Sequence, residues 1–528
     1  MLARLLLTLT CTCLLAACST QPVQTRVSGG VVEGYLEDGV EHYLGIPYAA
    51  APVGELRWRP PQTAPVWEGV LDTTENPSRC VQFPPLGDEA DGSEDCLYLN
   101  VWTPTEQAEQ PRPVMVWIHG GGFTVGQGSY TNSDGRRLAA RAGVVVVTVN
   151  YRLGVFGFLP HRLLSAEDPA YPASGNYGIQ DQTAALRWVR DNIAAFGGDP
   201  GNVTVFGQSA GAVSVCAQLV SPQAAGLFHR AIIQSGPCAT PLSSMEAASV
   251  LGEQLAAGLG CADGDDQLAC MRSRDALEVA QVLPPDPGFA FGVGYTHWWP
   301  LLDDHTLPLQ FMDAFESGRF NRVPVINGAT LDEATLLIWM SHNLFFRPLQ
   351  AEQYPRRLAY LLGDPKLAAL AAQRYPLANF PSPFEALTAA FSDGFFNCQA
   401  RWQSQALAAH TPTWTYQFNY REAPFLIPFL NLGAYHSAEI QYIFGRPMRL
   451  TGGDFDKEER SLTASMMAYW ANFARTGNPN GPGRMTWPVY DGRDRSLIFN
   501  LQNQVASGVH RDACEFWRGL PYLRPAYL

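Results

Sequence analysis

Short, nearly continuous apolar runs alternate along this chain with longer segments in which apolar residues recur with helical spacing. The apolar runs lie at residues 114–118, 144–149, 203–206, 231–233 and 414–418. The helical patterns lie at residues 181–195, 212–219 and 461–473. Strands that are apolar at nearly every position are typical of a parallel sheet that helices cover on both faces. The pattern therefore predicts an α/β fold with a central, mostly parallel sheet flanked by helices.

Two long regions depart from this alternation. Residues 240–320 and 335–410 are helix-rich and are interrupted by Pro and Gly, which is typical of insertions that cap a sheet. Neither internal repeats nor a change in composition divides the chain. We therefore expect residues 27–528 to form a single domain with large helical insertions.

The composition excludes some classes of partner. Hydrophobic residues make up 46% of the chain and charged residues 16%, so a large core can be buried. The formal net charge is −13, and no cluster of Lys and Arg stands out. Because nucleic acids and anionic lipid surfaces are bound through basic faces, neither is expected as a partner.

The first residues have the pattern of a secretory signal. Arg4 precedes an apolar run that closes with small residues, so residues 1–17 are predicted to be a signal peptide. The sequence Leu15-Ala16-Ala17-Cys18 resembles the lipobox of bacterial lipoproteins, which implies lipidation of Cys18 and a lipidated tether at 18–26. An ordinary signal peptide with an incidental cysteine is the alternative.

The predicted anchor also indicates a compartment. Ser19 follows Cys18 where aspartate would favour retention at the inner membrane. We therefore expect an outer-membrane lipoprotein of the bacterial cell envelope, facing the periplasm or the cell surface. Lipid is the only membrane anchor expected, since no later segment has 18 uninterrupted apolar residues.

Eight cysteines follow the predicted lipidation site: Cys80, Cys96, Cys216, Cys238, Cys261, Cys270, Cys398 and Cys514. An oxidising compartment permits disulfides among them, but spacing alone leaves their pairing open. The chain has no paired C-x-x-C units and no H-E-x-x-H motif. Neither a metal site nor an organic cofactor is therefore predicted.

The strongest chemical signal is Gly207-Gln208-Ser209-Ala210-Gly211, which stands between the apolar run at 203–206 and a helical pattern. This is the context of a nucleophile elbow, a tight strand-to-helix turn that exposes a serine hydroxyl to a base. Glycines on both sides permit neighbouring backbone to approach closely. Ser209 is therefore predicted to be a catalytic nucleophile, and an ordinary Gly-rich turn is the alternative.

A second glycine-rich element, His119-Gly120-Gly121-Gly122-Phe123, follows the strand predicted at 114–118. Successive glycines allow backbone N–H groups to point at an oxygen that becomes negative during acyl transfer. We expect an oxyanion hole formed by the N–H groups of Gly121, Gly122 and Ala210, with His119 ordering the loop. A turn that merely needs positive φ is the alternative.

At these motifs the chain resembles the type-B carboxylesterases, which include cholinesterases, bile-salt-activated lipases and bacterial nitrobenzyl esterases. The sequence FGGDP at 196–200, leading into the elbow, resembles one family signature, and EDCLYLNV at 94–101 resembles the other. The resemblance extends from YLGIPYA at 43–49 to CEFW at 514–517, almost the whole mature chain. It implies an α/β-hydrolase fold and hydrolysis of carboxylic esters.

The resemblance also implies the two partners of Ser209. Asp332-Glu333-Ala334 matches the family's acid segment, which makes Glu333 the triad acid and Asp332 its rival, with Ala334 where glycine is common. His436 lies in the segment that matches the family's histidine, with Ser437 where glycine is common. His436 would take the serine proton and return it to the leaving alcohol, while Glu333 would hold the imidazole tautomer.

The family resemblance further implies structural pairs. The disulfides implied are Cys80–Cys96, Cys261–Cys270 and Cys398–Cys514, which leaves Cys216 and Cys238 unpaired. A free Cys216 is expected to be a small buried hydrophobic residue. Ion pairs are implied between Arg57 and Glu94 and between Arg152 and Asp181, as contacts that hold loops.

Two departures from the family bear on the substrate. Gln208 replaces the glutamate common before the serine, and the segment between Cys80 and Cys96 contains no Trp to stack on a quaternary ammonium. Cholinesterase activity is therefore not expected. Five aromatic residues either line a substrate pocket or belong to the core: Phe123, Trp298, Trp299, Phe345 and Phe346.

The expected activity is hydrolysis of a small-molecule ester with a short to medium acyl chain, and no oligomeric state is predicted. The first alternative is a lipase for long-chain esters, which needs a mobile apolar lid. The only candidate lid, around Phe83-Pro84-Pro85-Leu86, is short and rich in acidic residues. The second alternative is a catalytically silent binding or adhesion relative, and the complete set of triad residues argues against it.

Overall fold

The computed structural model describes residues 21–83, 89–262, 266–284, 298–341, 348–427, 430–450 and 452–520. Its strands are β1 (Gln21–Val27), β2 (Gly30–Glu37), β3 (Val40–Pro47), β4 (Val70–Asp72), β5 (Tyr98–Pro104), β6 (Arg112–Ile118), β7 (Val145–Val149), β8 (Gly198–Gln208), β9 (Arg230–Gln234), β10 (Ser243–Ser244), β11 (Leu301–Leu302), β12 (Val325–Thr330), β13 (Thr413–Phe418), β14 (Arg495–Phe499) and β15 (Gln504–Ser507).

The helices before the second long insertion are α1 (Arg136–Ala142), α2 (Gly154–Phe158), α3 (Arg162–Glu167), α4 (Tyr177–Asn192), α5 (Ala210–Val220), α6 (Met245–Ala248), α7 (Val250–Gly258), α8 (Gln267–Ser273), α9 (Ala276–Val282) and α10 (Phe311–Ser317). Those that follow are α11 (Ala334–Ser341), α12 (Tyr354–Leu362), α13 (Pro365–Arg374), α14 (Pro383–Phe391), α15 (Cys398–Ala408), α16 (Ile440–Phe444), α17 (Lys457–Thr476) and α18 (Arg511–Arg518).

A 13-stranded sheet organises the molecule. Its strand order is β1-β2-β3-β5-β7-β6-β8-β9-β12-β13-β14-β15, and β4 pairs with β2. Every pairing from β7 to β14 is parallel, while the strands at the two ends pair mainly antiparallel. The structure thus has the mostly parallel central sheet and flanking helices that the apolar runs predicted.

The central strands are buried because both of their faces carry apolar side chains. In β8, Val205 packs into the core on one face and Phe206 into the core on the other. In β9, Ile233 and Ile232 divide in the same way. This alternation follows from the two-residue period of a strand, and it leaves few polar side chains on the central strands.

Helical insertions interrupt the sheet at two places, in agreement with the sequence. Helices α6 to α10 lie between β9 and β12, and helices α11 to α15 lie between β12 and β13. The second group has a core of its own, in which Ile338, Leu358 and Leu387 are buried. Both insertions follow the carboxyl ends of sheet strands, so they rise over the edge of the sheet where the site described below lies.

The segment expected to be a tether is part of the sheet from residue 21 onward. Strand β1 pairs antiparallel with β2 over its whole length, from Gln21 opposite Leu36 to Val27 opposite Gly30. Its side chains are mostly exposed, because it is an edge strand held by backbone hydrogen bonds. The sequence did not predict this strand, because its residues are mostly polar. Backbone pairing with a neighbouring strand does not require apolar side chains.

Four disulfides are present among the described residues. Three are the pairs that the family resemblance implied, Cys80–Cys96, Cys261–Cys270 and Cys398–Cys514. The fourth joins Cys216 to Cys238, so the expectation that these two cysteines are unpaired was wrong. Helix α5 packs across β9, and this contact brings Cys216 beside the segment after that strand, at a Cα–Cα distance of 6.4 Å.

The expected ion pairs are also present. Arg57 binds both carboxylate oxygens of Glu94, at 2.7 and 2.6 Å, and Arg152 binds both oxygens of Asp181, at 2.8 and 2.6 Å.

Of the helices in the described parts of the chain, none combines the length and the apolar character that crossing a bilayer requires.

Candidate active site

Four segments that follow parallel strands meet at the carboxyl edge of the sheet. Ser209 comes directly after β8, the glycine-rich loop after β6, Glu333 shortly after β12, and His436 in the segment after β13. Parallel strands place their carboxyl ends at one edge, where open α/β sheets bind their ligands. The topology therefore brings together residues that are far apart in the sequence.

Ser209 occupies a strained turn between β8 and α5. Its φ and ψ angles are 59° and −126°, outside the regions that side-chain-bearing residues commonly adopt. Its N–H donates to the Gln234 carbonyl at 2.9 Å, which anchors the turn to β9. A Cβ on Gly211 would lie 2.0 Å from the Ile118 carbonyl oxygen, so the first turn of α5 can rest on β6 only with glycine there.

The glycine-rich loop lies against this turn. Gly121 has a φ of 115°, which strongly favours glycine. Gly121, Gly122 and Ala210 all line the cavity in front of Ser209. Within the described residues, the N–H groups of these three residues donate to no protein acceptor. The three residues therefore combine a place at the cavity with N–H groups that no protein acceptor occupies.

His119 supports the loop from behind. Its ring stacks on Tyr151 with a centroid distance of 4.4 Å, and its Nδ1 lies 2.8 Å from the Gly120 carbonyl oxygen. Burial lowers the pKa of His119 to about 4, so the ring is neutral at pH 7. The predicted ordering role agrees with these contacts.

The structure brings Glu333 and His436 into direct contact. Glu333 Oε2 lies 2.5 Å from His436 Nδ1, and both side chains are buried. The other carboxylate oxygen of Glu333 accepts from the N–H of Thr330 at 2.8 Å. A carboxylate at this position favours the imidazole tautomer that carries its proton on Nδ1, so Nε2 is left as an acceptor.

Asp332, the rival acid, points to other partners. Both of its oxygens accept from Arg421, at 2.6 and 2.8 Å, and one accepts from the N–H of Ala434 at 2.9 Å. Its own N–H donates to the Ala434 carbonyl at 3.0 Å. Asp332 therefore ties the segment that bears Glu333 to the segment that bears His436.

Ser437 and Ala334 stand where glycine is common in the family, and the structure accommodates both. Ser437 has a φ of 74°, in the left-handed region that favours glycine. Ala334 is fully buried, and its N–H donates to Ser392 Oγ at 2.9 Å. With both residues in place, Glu333 and His436 are in contact.

Gln208 makes a contact that the sequence did not indicate. Its side-chain Nε2 lies 3.0 Å from His436 Nε2, on the ring edge opposite Glu333. The side chain is buried and lines the same cavity as Ser209. The sequence marked Gln208 only as a departure from glutamate, and no local pattern signals the contact with a histidine 228 residues later.

Glu439, one turn beyond His436, is a second buried acid that the sequence did not single out. Its Oε1 accepts from Gln234 Nε2 at 3.1 Å, and its Oε2 has no partner among the described residues. Burial, with a smaller contribution from the charge of Glu333, raises the pKa of Glu439 to about 7. Because Glu439 does not line the cavity in front of Ser209, it is part of the surroundings of the site.

The cavity in front of Ser209 has a volume of about 240 Å³. One part of its wall is polar, with Tyr130, Asn132 and Ser133. The apolar part of its wall includes Trp299, Leu336, Leu337, Met340, Phe395 and Phe396. Among the described residues that line the cavity, none is an acid, a lysine or an arginine, and two are histidines, His119 and His436.

The candidate pocket aromatics divide between wall and core. Trp299 lines the cavity, and Phe123 packs behind it at a centroid distance of 5.1 Å. Trp298 is buried, and Phe345 and Phe346 lie outside the described residues.

Across the described ranges, no group of three or more potential metal ligands is close enough to hold an ion.

Comparison with known proteins now identifies the family. The sequence profile described as "Carboxylesterase family" matches residues 19–517. The para-nitrobenzyl esterase of Bacillus subtilis (strain 168) is 38% identical over 479 residues, which cover 89% of this chain and 93% of that protein. The chain belongs to the carboxylesterase family. It is a carboxylic-ester hydrolase with the α/β-hydrolase fold.

Other relatives in this carboxylesterase family agree. The fumonisin B1 esterase of Sphingopyxis macrogoltabida is 35% identical over 93% of this chain and 89% of its own length. The solved structure of a thermophilic PNB esterase matches with a TM-score of 0.78 at 35% identity, covering 94% of this chain and 99% of the other. The similarity therefore extends over nearly the whole fold.

Proposed function

We propose that this carboxylesterase cleaves its substrate through an acyl-enzyme, with Ser209 as nucleophile, His436 as general base and Glu333 as the acid that orients the histidine. The observation that carries the proposal is the 2.5 Å contact between Glu333 and His436 Nδ1, at the wall of the cavity that also holds Ser209. An imidazole held in this tautomer has an unprotonated Nε2, which is the atom that can accept a serine proton.

In the proposed first step, Ser209 Oγ attacks the ester carbonyl while its proton moves to His436 Nε2. The carbonyl oxygen becomes negative and accepts from the N–H groups of Gly121, Gly122 and Ala210, the predicted oxyanion hole. His436 then protonates the leaving alcohol, and the acyl group remains on Ser209. A water molecule, deprotonated by the same histidine, releases the acid in the second step.

We further propose short to medium acyl chains. A cavity of about 240 Å³ is smaller than the roughly 300–1,000 Å³ of pockets for drug-sized ligands. Its apolar wall suits an alkyl or aryl group, because burying such a group is favourable. The small-molecule ester is therefore expected to be neutral and compact.

The lipase alternative lacks a specific supporting observation. Most of its candidate lid, Phe83-Pro84-Pro85-Leu86, lies outside the described residues, which include only Phe83 of the four. Among the described residues of that segment, Asp91 and Glu94 form ion pairs with Arg79 and Arg57. The binding-protein alternative does not account for the contact between Glu333 and His436, which catalysis requires and binding does not.

Hydrolysis of p-nitrophenyl esters from acetate to palmitate tests the proposal. The full chain, purified in mild detergent, is compared with Ser209→Ala and with the control Ser214→Ala, which alters a buried serine five residues along α5. We expect turnover by the wild type and the control that falls with chain length, and none by Ser209→Ala. Equal activity of the two variants on every ester would overturn the role of Ser209.

We also propose that Cys18 carries a lipid anchor and that the protein is an outer-membrane lipoprotein. The basis is the lipobox-like sequence before Cys18, together with strand β1, whose first residue is Gln21. Metabolic labelling with a palmitate analogue, followed by membrane fractionation, tests this. Cys18→Ala should lose label and membrane association, and the control Cys11→Ser should keep both. Labelling of Cys18→Ala would contradict the proposal.

A further inference from the structure

Gln208 places a carboxamide beside the atom that receives the serine proton in the proposed mechanism. It is the last residue of β8 and directly precedes Ser209. Its side-chain Nε2 lies 3.0 Å from His436 Nε2, while Glu333 occupies the other ring nitrogen at 2.5 Å. Both nitrogens of the ring therefore have a protein partner before substrate arrives.

The hydrogen atoms of these three groups determine what each can do. With a proton on Nδ1 shared with Glu333, the neutral ring has a lone pair on Nε2, and the amide N–H of Gln208 donates to it. Once Nε2 has taken the proton of Ser209, it becomes a donor, and an amide N–H facing it is unfavourable. A carboxamide also has an acceptor, Oε1, which can replace the N–H after a half-turn of the amide plane.

That turn needs little additional space, because it exchanges the positions of Oε1 and Nε2. Gln208 Oε1 lies 3.2 Å from where a Cβ on Gly120 would stand, and Gly120 has no side chain. The carboxamide thus lies between the ring of His436 and the bare Cα of Gly120. Glutamate at position 208 would supply only acceptors while ionised, and leucine would supply neither donor nor acceptor.

We infer that Gln208 is a positioning residue that holds the His436 ring in both of its protonation states, donating to Nε2 when the ring is neutral and accepting from it when the ring is protonated. The inference rests on the proposed role of His436 as general base. Nε2 of the neutral ring has a single lone pair, so in the balanced step the Gln208 N–H first leaves it. The Oγ–H bond of Ser209 then breaks, an Nε2–H bond forms, and Oγ joins the carbonyl carbon as the C=O π pair moves to oxygen. Gln208 gives up the bond in which its N–H donates to Nε2, and its Oε1 then accepts from the new Nε2–H. No electron or proton passes through Gln208.

The pH dependence of kcat and KM for p-nitrophenyl butyrate tests this role. The full chain in mild detergent is compared with Gln208→Glu and Gln208→Leu. The control is Gln399→Leu, which removes an equally buried amide whose side chain exchanges hydrogen bonds with Thr240. Circular dichroism establishes that all variants fold.

We expect Gln208→Glu to move the acidic limb of kcat/KM to higher pH by about one unit or more, because a carboxylate favours the protonated ring. Above that limb its activity should return to within a few-fold of wild type. Gln208→Leu should lower kcat about tenfold with KM nearly unchanged, as expected for losing one hydrogen bond to a reacting group. Gln399→Leu should retain the wild-type profile.

A Gln208→Glu profile that coincides with the wild type would overturn the inference, and so would a Gln208→Leu variant with unchanged kcat. The failure of the proposed mechanism looks different, because Ser209→Ala would then keep its activity. If activity depends on Ser209 while every Gln208 variant behaves as wild type, the triad proposal stands and the role of Gln208 falls.

Discussion

Cys216 and Cys238 form a disulfide that joins helix α5, the helix that begins after Ser209, to the segment that follows β9. The helix and this segment are already close, since a Cβ on Gly236 would lie 2.8 Å from the Ala212 side chain. Both sulfurs are buried within the main core. The bond therefore holds the helix that follows Ser209 against the sheet.

Replacing both Cys216 and Cys238 by alanine should lower the free energy of unfolding. The bond spans 22 residues, for which the loss of chain entropy predicts about 3 kcal/mol. Urea denaturation of the double variant measures the change. The control is the double alanine variant of Cys261 and Cys270, which span only 9 residues, and it should lose less. An unchanged midpoint for the first variant would show that the bond does not stabilise the fold.

Exchanging each candidate acid for its amide should separate the roles of Glu333 and Asp332. Glu333→Gln should lower kcat by about 10⁴-fold, as when a triad acid is replaced by its amide and the histidine tautomer is lost. Asp332→Asn weakens the contact with Arg421 and should cost kcat less than about tenfold. Steady-state kinetics on p-nitrophenyl butyrate measures both. The reverse ranking would make Asp332 the acid.

Glu439→Gln should change how stability depends on pH. Because the pKa of Glu439 is raised to about 7 in the fold, its contribution to stability is fully present below pH 4.5 and is lost as pH rises through 7. Between pH 4.5 and pH 8 the wild type should lose about 3 kcal/mol relative to Glu439→Gln. Urea denaturation at several pH values measures the difference. Parallel stability curves would contradict the raised pKa.

The cavity should favour neutral esters over cationic ones. No side chain with a negative charge lines it among the described residues, so a quaternary ammonium would lose hydration without an ionic partner. We expect kcat/KM for 3,3-dimethylbutyl butyrate to exceed that for butyrylcholine by about tenfold or more. Gln208→Glu, tested at a pH above the acidic limb of its kcat/KM profile, should bring the kcat/KM values for the two esters closer together. A preference of the wild type for the cationic ester would contradict the expectation.

Trp299→Ala should shift acyl-chain preference towards longer chains. Trp299 lines the cavity and packs edge-to-face on Phe123, so its removal enlarges the apolar wall. We expect the ratio of kcat/KM for octanoate to that for butyrate to rise several-fold. The control is Trp67→Ala, because Trp67 packs on Gly29 and Gly30 away from the cavity. An unchanged ratio would show that Trp299 does not limit the acyl chain.

Much of this architecture was predictable from local sequence. The apolar runs at 114–118 and 203–206 are parts of β6 and β8, and the glycine-flanked serine lies in the turn from β8 to α5. These features are local, because two-residue alternation, glycine conformation and helix spacing act over a few neighbouring residues. Ser209 and the residues predicted for the oxyanion hole likewise stand in local motifs beside strand ends, whereas Glu333 and His436 were implied by the resemblance to the family.

Other features depended on contacts between distant segments. The polar residues of β1 form a strand because β2 offers backbone partners, and Cys216 finds Cys238 because α5 crosses β9. Gln208 and His436 meet across 228 residues, because the segment that follows β13 returns past β12 and β9 to the end of β8. Sequence by itself determined the fold class and the chemical groups at the site. Only the tertiary structure decided which groups touch, because hydrogen bonds and disulfides form between atoms that packing, rather than sequence order, brings together.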